Sequence, residues 1–259
     1  MSKAPVNNHK SALYKTVAVS DLFMATCALL STQRIDKIYE SLFESGSLNQ
    51  HFTNHYRERN LGFLLFVCAC SAGVLRFGFS PKYFTIANEI FALLAGLAGV
   101  PLIASFYYAL IPEKHAVFSK DMERFLFNPR QFLTIIFPIL TTIVWKGWKD
   151  KTIVQGLIKV AGVLSITIIG YCGYLHNNQH ALLGVFLFAF GGLVITPNRH
   201  NCILNVRREN WFHYCLGLAL ILLSLGLCEI MMQVFTNNPS YNISVVDYVT
   251  GALSEILYL

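Results

Sequence analysis

The sequence is poor in charge. Only 13% of its 259 residues are Asp, Glu, Lys or Arg, and 54% are hydrophobic, whereas an ordinary soluble domain has about 25% charged residues. A soluble core of this size would need a polar shell, but here the charges cluster in short intervals between apolar runs. The composition therefore argues against an ordinary soluble domain and predicts a polytopic α-helical membrane protein.

Cysteine motifs are also missing. The seven cysteines include no CxxC pair, so we expect reduced, buried thiols rather than a disulfide framework or a zinc site. No repeat, low-complexity stretch or linker divides the chain, and residues 1–259 are interpreted as one domain. The net charge of +6 is not arranged as a basic face interleaved with aromatics. This argues against binding of nucleic acid and favours contact with lipid headgroups.

Seven apolar segments are long enough to span about 30 Å of hydrocarbon. They cover residues 12–32, 61–80, 84–111, 131–148, 152–175, 181–196 and 211–235. The first is the least hydrophobic, and the sixth is short. These segments predict an all-α fold with about seven transmembrane helices in one bundle, together with amphipathic interfacial segments.

The best candidate for an interfacial segment lies in the loop at 33–60, which contains the stretch RIDKIYESLFES. Ile35, Ile38 and Leu42 recur at helical spacing, and the charged residues lie largely on other faces. This pattern predicts an amphipathic helix. We expect that helix to lie in the membrane interface.

The distribution of Lys and Arg predicts the orientation. With seven spans, 11 of these residues fall on the N-terminal side of the membrane and 8 on the other side, where they lie in two long loops mixed with acids. The short-loop rule places the N-terminus in the cytosol and the C-terminus in the lumen or outside the cell. The sequon Asn242-Ile-Ser then falls on the side where glycosylation occurs. The lack of a large ectodomain favours the endoplasmic reticulum.

Among the charged residues inside predicted spans, four stand out: Asp21, Glu89, Lys159 and Glu229. Each costs about 2.5–3.5 kcal/mol at the bilayer centre on the lenient scale. Glu89 and Lys159 lie at matched depths, about 8–10 Å below the cytosolic surface, so we expect them to pair unless Lys159 extends to the headgroups. Asp21 has no evident partner and is expected to face a cavity or a subunit contact. Glu229 lies near the outer end of its span, where we expect it to reach water.

Two histidines, His176 and His180, lie four residues apart between apolar runs. They would share a face only within a helix, but Asn177 and Asn178 between them are typical of a turn. A metal site would also need a third ligand. We therefore expect a solvated outer turn without a metal, and a metal or catalytic site is the alternative.

Two further histidines, His200 and His213, lie near the cytosolic ends of the last two spans. Trp211 and Tyr214 flank His213, which is typical of the aromatic belt at a membrane interface. We interpret these histidines as interfacial, with a ligand or acid–base role as the alternative.

The third predicted span carries small residues at helical spacing. Ala92 and Gly96 are four residues apart, as are Ala95 and Gly99, and this spacing lets another helix approach closely. Pro101 then permits a kink. The pattern predicts tight helix packing rather than a cofactor site.

Three stretches are similar in order and spacing to the uncharacterised seven-span transmembrane protein 187 family: FLTIIFPILTTIVW at 132–145, HNNQHALLG at 176–184, and LGLALILLSLGLCE at 216–229, which VVDYV follows. The resemblance covers about half of the chain and implies the fold, without catalytic residues to carry over.

A second comparison is with the ceramidase-type membrane hydrolases, which carry a histidine pair on a late helix within a zinc site. Here the nearest pair falls in a predicted turn.

These observations favour a non-enzymatic integral membrane subunit or scaffold that contacts lipid and a larger membrane partner. The first alternative is a small lipid-handling protein or solute transporter, in which Asp21, Glu89 and Lys159 line a polar cavity. The second is a metal-dependent lipid hydrolase that uses the histidines. No cofactor is expected.

Overall fold

The computed structural model describes residues 6–48, 50–112, 115, 151–195, 202–203 and 206–236, and most of them are helical. The α-helices are α1 (Val6–Glu44), α2 (Gln50–Val74), α3 (Pro81–Leu94), α4 (Val100–Tyr108), α5 (Lys151–Leu175), α6 (Gln179–Ala189) and α7 (Arg208–Thr236). Three π-helical segments extend or join them: Leu75–Phe79 after α2, Ala95–Gly99 between α3 and α4, and Phe190–Ile195 after α6. Two short antiparallel strands, β1 (Cys202–Ile203) and β2 (Val206–Arg207), precede α7.

Five helical stretches in the described part of the chain are long and apolar enough to cross a membrane. They are Lys15–Glu44, Asn60–Phe79, Lys82–Tyr108, Thr152–Leu175 and Arg208–Thr236. The predicted sixth span corresponds to the shorter apolar helix Gln179–Ile195. The predicted fourth span at 131–148 lies outside the described residues, as do His200 and Asn242. The helical fold is therefore confirmed for the described residues, and the five long apolar helices are compatible with a membrane protein, whereas a bundle of seven spans stays a prediction.

Contacts between helices give the direction of each one. Ser20 of α1 hydrogen-bonds Asn210 of α7, and Ser31 bonds the carbonyl of Leu220, so α1 and α7 run parallel. The helices α4 and α5 also run parallel, since Cys172 donates to the Tyr107 carbonyl near the end of both.

The helix α1 has 39 residues and is about 58 Å long at 1.5 Å per residue, almost twice the hydrocarbon thickness. The amphipathic helix predicted in the loop at 33–60 is its continuation. Its expected place in the interface is wrong, because Ile35, Ile38 and Leu42 are buried in the protein core. The chain reverses after α1 at Gly46, whose φ of +70° is a conformation that glycine adopts readily.

Small residues bring the helices close together, as the sequence predicts. A Cβ added to Gly62 of α2 would lie 2.7 Å from the Gly99 carbonyl oxygen, and a Cβ on Gly96 would lie 3.1 Å from Ile158 of α5. Pro101 lies two residues after the end of the π-helical segment and is the second residue of α4. The small-residue face of this span therefore contacts two neighbouring helices.

Candidate functional site

A cavity of about 530 Å³ lies between the helices of the bundle. This volume falls within the range of about 300–1,000 Å³ that is usual for small-molecule sites. The Asp, Glu, Lys, Arg and His residues of its wall are Asp21, Arg76, Lys159, Glu209 and His213. The rest of the wall is mainly apolar and comes from every α-helix of the described chain.

The charged residues of this wall are grouped toward the end where α5 and α7 begin, and apolar residues form most of the rest. On α7 the lining begins with Glu209 in the first turn and reaches Leu216 two turns deeper. On α5 it runs from Gln155 to Ile166, a rise of about 16 Å. The cavity is thus amphipathic, with its polar mouth where α5 and α7 begin and its apolar end inside the bundle.

Asp21 has a partner at this mouth, contrary to the sequence-based expectation. Its Oδ1 atom lies 3.2 Å from Nδ1 of His213, and the Asp21 side chain is nearly fully buried. Its Oδ2 atom packs against Gly73 of α2, where an added Cβ would overlap the carboxylate. Asp21 lines the cavity, as expected, but it also ties α1 to α7.

His213 therefore points into the bundle, and its interpretation as an interfacial residue is wrong. Its side chain is only 15% exposed. Its neighbour Tyr214 packs edge-on against Phe23 of α1. The aromatic residues around His213 in the sequence suggested the interface, but the helix rotation places the imidazole against Asp21.

Ser20 completes this network without forming a catalytic triad. Its hydroxyl lies 3.0 Å from Nδ1 of His213, the same ring nitrogen that Asp21 approaches. In a serine-hydrolase triad the hydroxyl and the carboxylate contact opposite ring nitrogens. Ser20 is fully buried and also hydrogen-bonds the Val17 carbonyl. The cluster is therefore a hydrogen-bonded junction between helices.

Glu229 is buried at the other end of the bundle, so its expected access to water is wrong. The residue is 4% exposed. Its Oε2 atom accepts a hydrogen bond of 2.7 Å from Asn178 and lies 3.0 Å from Nδ1 of His180. Depth along α7 suggested solvent access, but the turn between α5 and α6 covers the carboxylate.

That turn lies where Asn177 and Asn178 predict it, between the end of α5 and Gln179. Asn177 has a φ of +50°, and the N–H of Asn178 donates to the Gly173 carbonyl at 2.8 Å, which together close α5. The Asn178 side chain caps α6 by accepting from the Ala181 N–H. The turn prediction is confirmed, and the turn is partly exposed to solvent: Asn177 and Gln179 are exposed, whereas Asn178 is buried.

The two histidines of this segment have separate partners. His176 contacts the Leu110 carbonyl through Nε2 at 3.0 Å, whereas His180 contacts Glu229. Burial lowers the pKa of His176, and its contact with the carbonyl offsets part of this effect. Among the described residues no group of three His, Cys, Asp or Glu side chains is arranged to hold a metal ion.

Glu89 and Lys159 do not form the expected ion pair in the structure. Both side chains are exposed, and no ion pair joins them within the described residues. Equal depth does not fix which helices are neighbours, and α5 packs against α4 and the π-helical segment before it. Lys159 lines the cavity, whereas Glu89 is not part of its wall.

No family model, curated protein or solved structure matches the chain. The resemblance to the transmembrane protein 187 family therefore stays an expectation from the sequence.

Proposed function

We propose that the protein is a non-enzymatic integral membrane protein that binds a membrane lipid in the cavity between its helices. The observation that carries this proposal is the amphipathic wall, with a polar mouth where α5 and α7 begin and apolar residues deeper in the bundle. A lipid in a leaflet has the same order, with its headgroup near the surface and its chain toward the bilayer centre. The cavity therefore suits a lipid held in its usual orientation.

A hydrolase or a solute transporter fits these residues less well. The one serine beside His213 shares a ring nitrogen with Asp21 and is already hydrogen-bonded to backbone, so it lacks the arrangement of an activated nucleophile. A small polar solute would leave the apolar end of the cavity without favourable contacts. Lipid binding uses both ends of the cavity.

Replacing Gly162 with Leu is expected to weaken lipid binding by about tenfold or more. Gly162 lines the cavity on α5, and nothing lies within 4 Å of the position of an added Cβ. A leucine there would fill space that the lipid needs, and overpacking costs about 1–3 kcal/mol, where 1.4 kcal/mol is tenfold. Native mass spectrometry of protein purified in mild detergent would measure the bound lipid.

The matched control is Gly156→Leu. Gly156 lies on the same helix, also has open space around it, and is not part of the cavity wall. This variant should keep its lipid, because the added side chain lies outside the cavity. Both substitutions improve helix propensity by similar amounts, so the comparison isolates the effect on the cavity. Equal lipid content in the wild type and both variants would contradict a site in the cavity.

A second candidate function is that of a subunit or scaffold for a larger membrane protein. The observation that favours it is the apolar face of α5, where Val160, Val163 and Leu164 are exposed. Lipid tails would cover this face equally well, so the cavity remains the stronger basis. A stoichiometric partner protein in the gently purified sample would favour this second function.

We also propose that the cavity mouth faces the cytosol and that the protein resides in the endoplasmic reticulum. Lys15, Arg76, Lys82, Arg207 and Arg208 all lie near ends of the apolar helical stretches on the side of the mouth, and the positive-inside rule favours cytosol on that side. The N-terminus would then be cytosolic and the C-terminus lumenal.

Glycosidase treatment of the native protein tests this orientation. We expect the wild-type protein to shift in mass on a gel and the Asn242→Gln variant to show no shift, because the sequon is then lumenal. A C-terminal tag that protease removes from intact microsomes would contradict the orientation, since only cytosolic segments are accessible there.

A further inference from the structure

The cavity wall contains four Asp, Glu, Lys or Arg side chains, and for three of them a contact or a helix end stabilises the side chain. Asp21 contacts His213. Glu209 lies in the first turn of α7, where the helix dipole favours a negative charge. Arg76 lies in the last turn of its helical segment, where the dipole favours a positive charge, and its guanidinium stands 4.9 Å from the centre of the Phe77 ring.

Lys159 is the exception. It lies eight residues after the first residue of α5, about 12 Å along the helix, so neither helix end accounts for its charge. No ion pair joins it to any side chain in the described part of the chain. A cation in a transmembrane helix has a substantial cost. Among the described residues, therefore, no anion pairs with this positive charge in the cavity wall.

Lys159 also lies where the headgroup of a lipid bound in the cavity would be. Gly162 and Ile166 follow it on α5 at spacings of three and seven residues, which places all three on one helix face. All three line the cavity. A ligand that follows this face from the mouth inward meets the ammonium first and apolar surface next.

We infer that the bound lipid has an anionic headgroup, a carboxylate or a phosphate, and that Lys159 binds it. This inference rests on the proposed lipid-binding function and specifies the lipid class. The carboxylate of Asp21 contacts His213 and Gly73, and the Arg76 guanidinium acts on it as an opposite charge. The ammonium of Lys159 would donate hydrogen bonds to the headgroup oxygens.

The experiment measures binding of three single-chain lipids to delipidated protein in detergent: oleate, lysophosphatidate and the neutral monoolein. We expect at least one anionic lipid to bind about tenfold or more tightly than monoolein, since a hydrogen bond to a charged group contributes about 1.5–3 kcal/mol. A preference for oleate would identify a fatty acid carboxylate, and a preference for lysophosphatidate would identify a phospholipid phosphate. Either preference supports the inference.

Variants of Lys159 show whether this residue is responsible. Lys159→Met should lose the anionic preference and keep its affinity for monoolein, whereas Lys159→Arg should keep the preference within about threefold. Lys82→Met is the matched control, because Lys82 is exposed near the same end of the bundle and outside the cavity wall. Thermal unfolding of each variant shows that the protein remains folded.

One result would contradict the headgroup inference, and another would contradict the proposed function. If oleate, lysophosphatidate and monoolein bind equally and Lys159→Met changes nothing, Lys159 extends to the membrane surface and the headgroup inference fails, while lipid binding stands. If none of the three binds and the purified protein carries no lipid, the proposed function itself fails.

Discussion

Replacing Asn178 with Ala is expected to lower the free energy of unfolding by about 2–4 kcal/mol. The Asn178 side chain caps α6 by accepting from the Ala181 N–H at 2.7 Å, and it donates to the buried Glu229 carboxylate at 2.7 Å. Alanine removes both bonds and leaves Glu229 with one fewer donor in a buried place. Thermal and denaturant unfolding in detergent would measure the change.

The neighbouring residue provides the control. Asn177 is exposed and has a positive φ, so Asn177→Gly should change stability by no more than a few tenths of a kcal/mol. If Asn178→Ala were as stable as Asn177→Gly, the turn would not contribute to holding α6 against α7.

Replacing Gly62 with Ala is expected to cost about 1–3 kcal/mol. The added Cβ would lie 2.7 Å from the Gly99 carbonyl oxygen and 3.0 Å from the Ile103 backbone nitrogen. Backbone atoms cannot move aside as a flexible side chain can, so α2 must separate from α4. The loss should appear as a lower unfolding temperature in the same detergent.

Gly156→Ala is the matched substitution with the opposite expected sign. Nothing lies within 4 Å of the position of its Cβ, so improved helix propensity should raise stability by up to about 1 kcal/mol. A stabilising effect of Gly62→Ala would show that the close approach of α2 and α4 is absent in the protein in solution.

The sequence predicts the helices better than it predicts what covers them. Hydropathy and length locate the long apolar helices, because crossing a bilayer requires about 20 apolar residues. The same reasoning misplaces the second half of α1. Ile35 and Leu42 form an amphipathic stripe that could contact either lipid or protein, and the stripe alone does not say which.

The sequence likewise predicts the depth of the polar residues but not the side chains that they contact. Depth in the membrane can be read from position along a helix, but rotation about the helix axis and the identity of the neighbouring helix cannot. Matched depth therefore suggested the pair of Glu89 and Lys159, which does not form. It did not suggest Asp21 and His213, because Asp21 lies much further from the start of its predicted span than His213 does, yet the structure joins these two side chains. That pair joins helices at opposite ends of the sequence.

The parallel contact of α1 with α7 affects the order of events during synthesis. Ser20 and Asn210, which hydrogen-bond each other, are 190 positions apart, and translation of that interval takes about 10–40 s at 5–20 residues per second. Throughout this period Asp21 lies in a newly inserted helix whose histidine partner has not been made. The nascent protein thus presents a carboxylate in the bilayer to the insertion machinery, and completion of the last helix covers it.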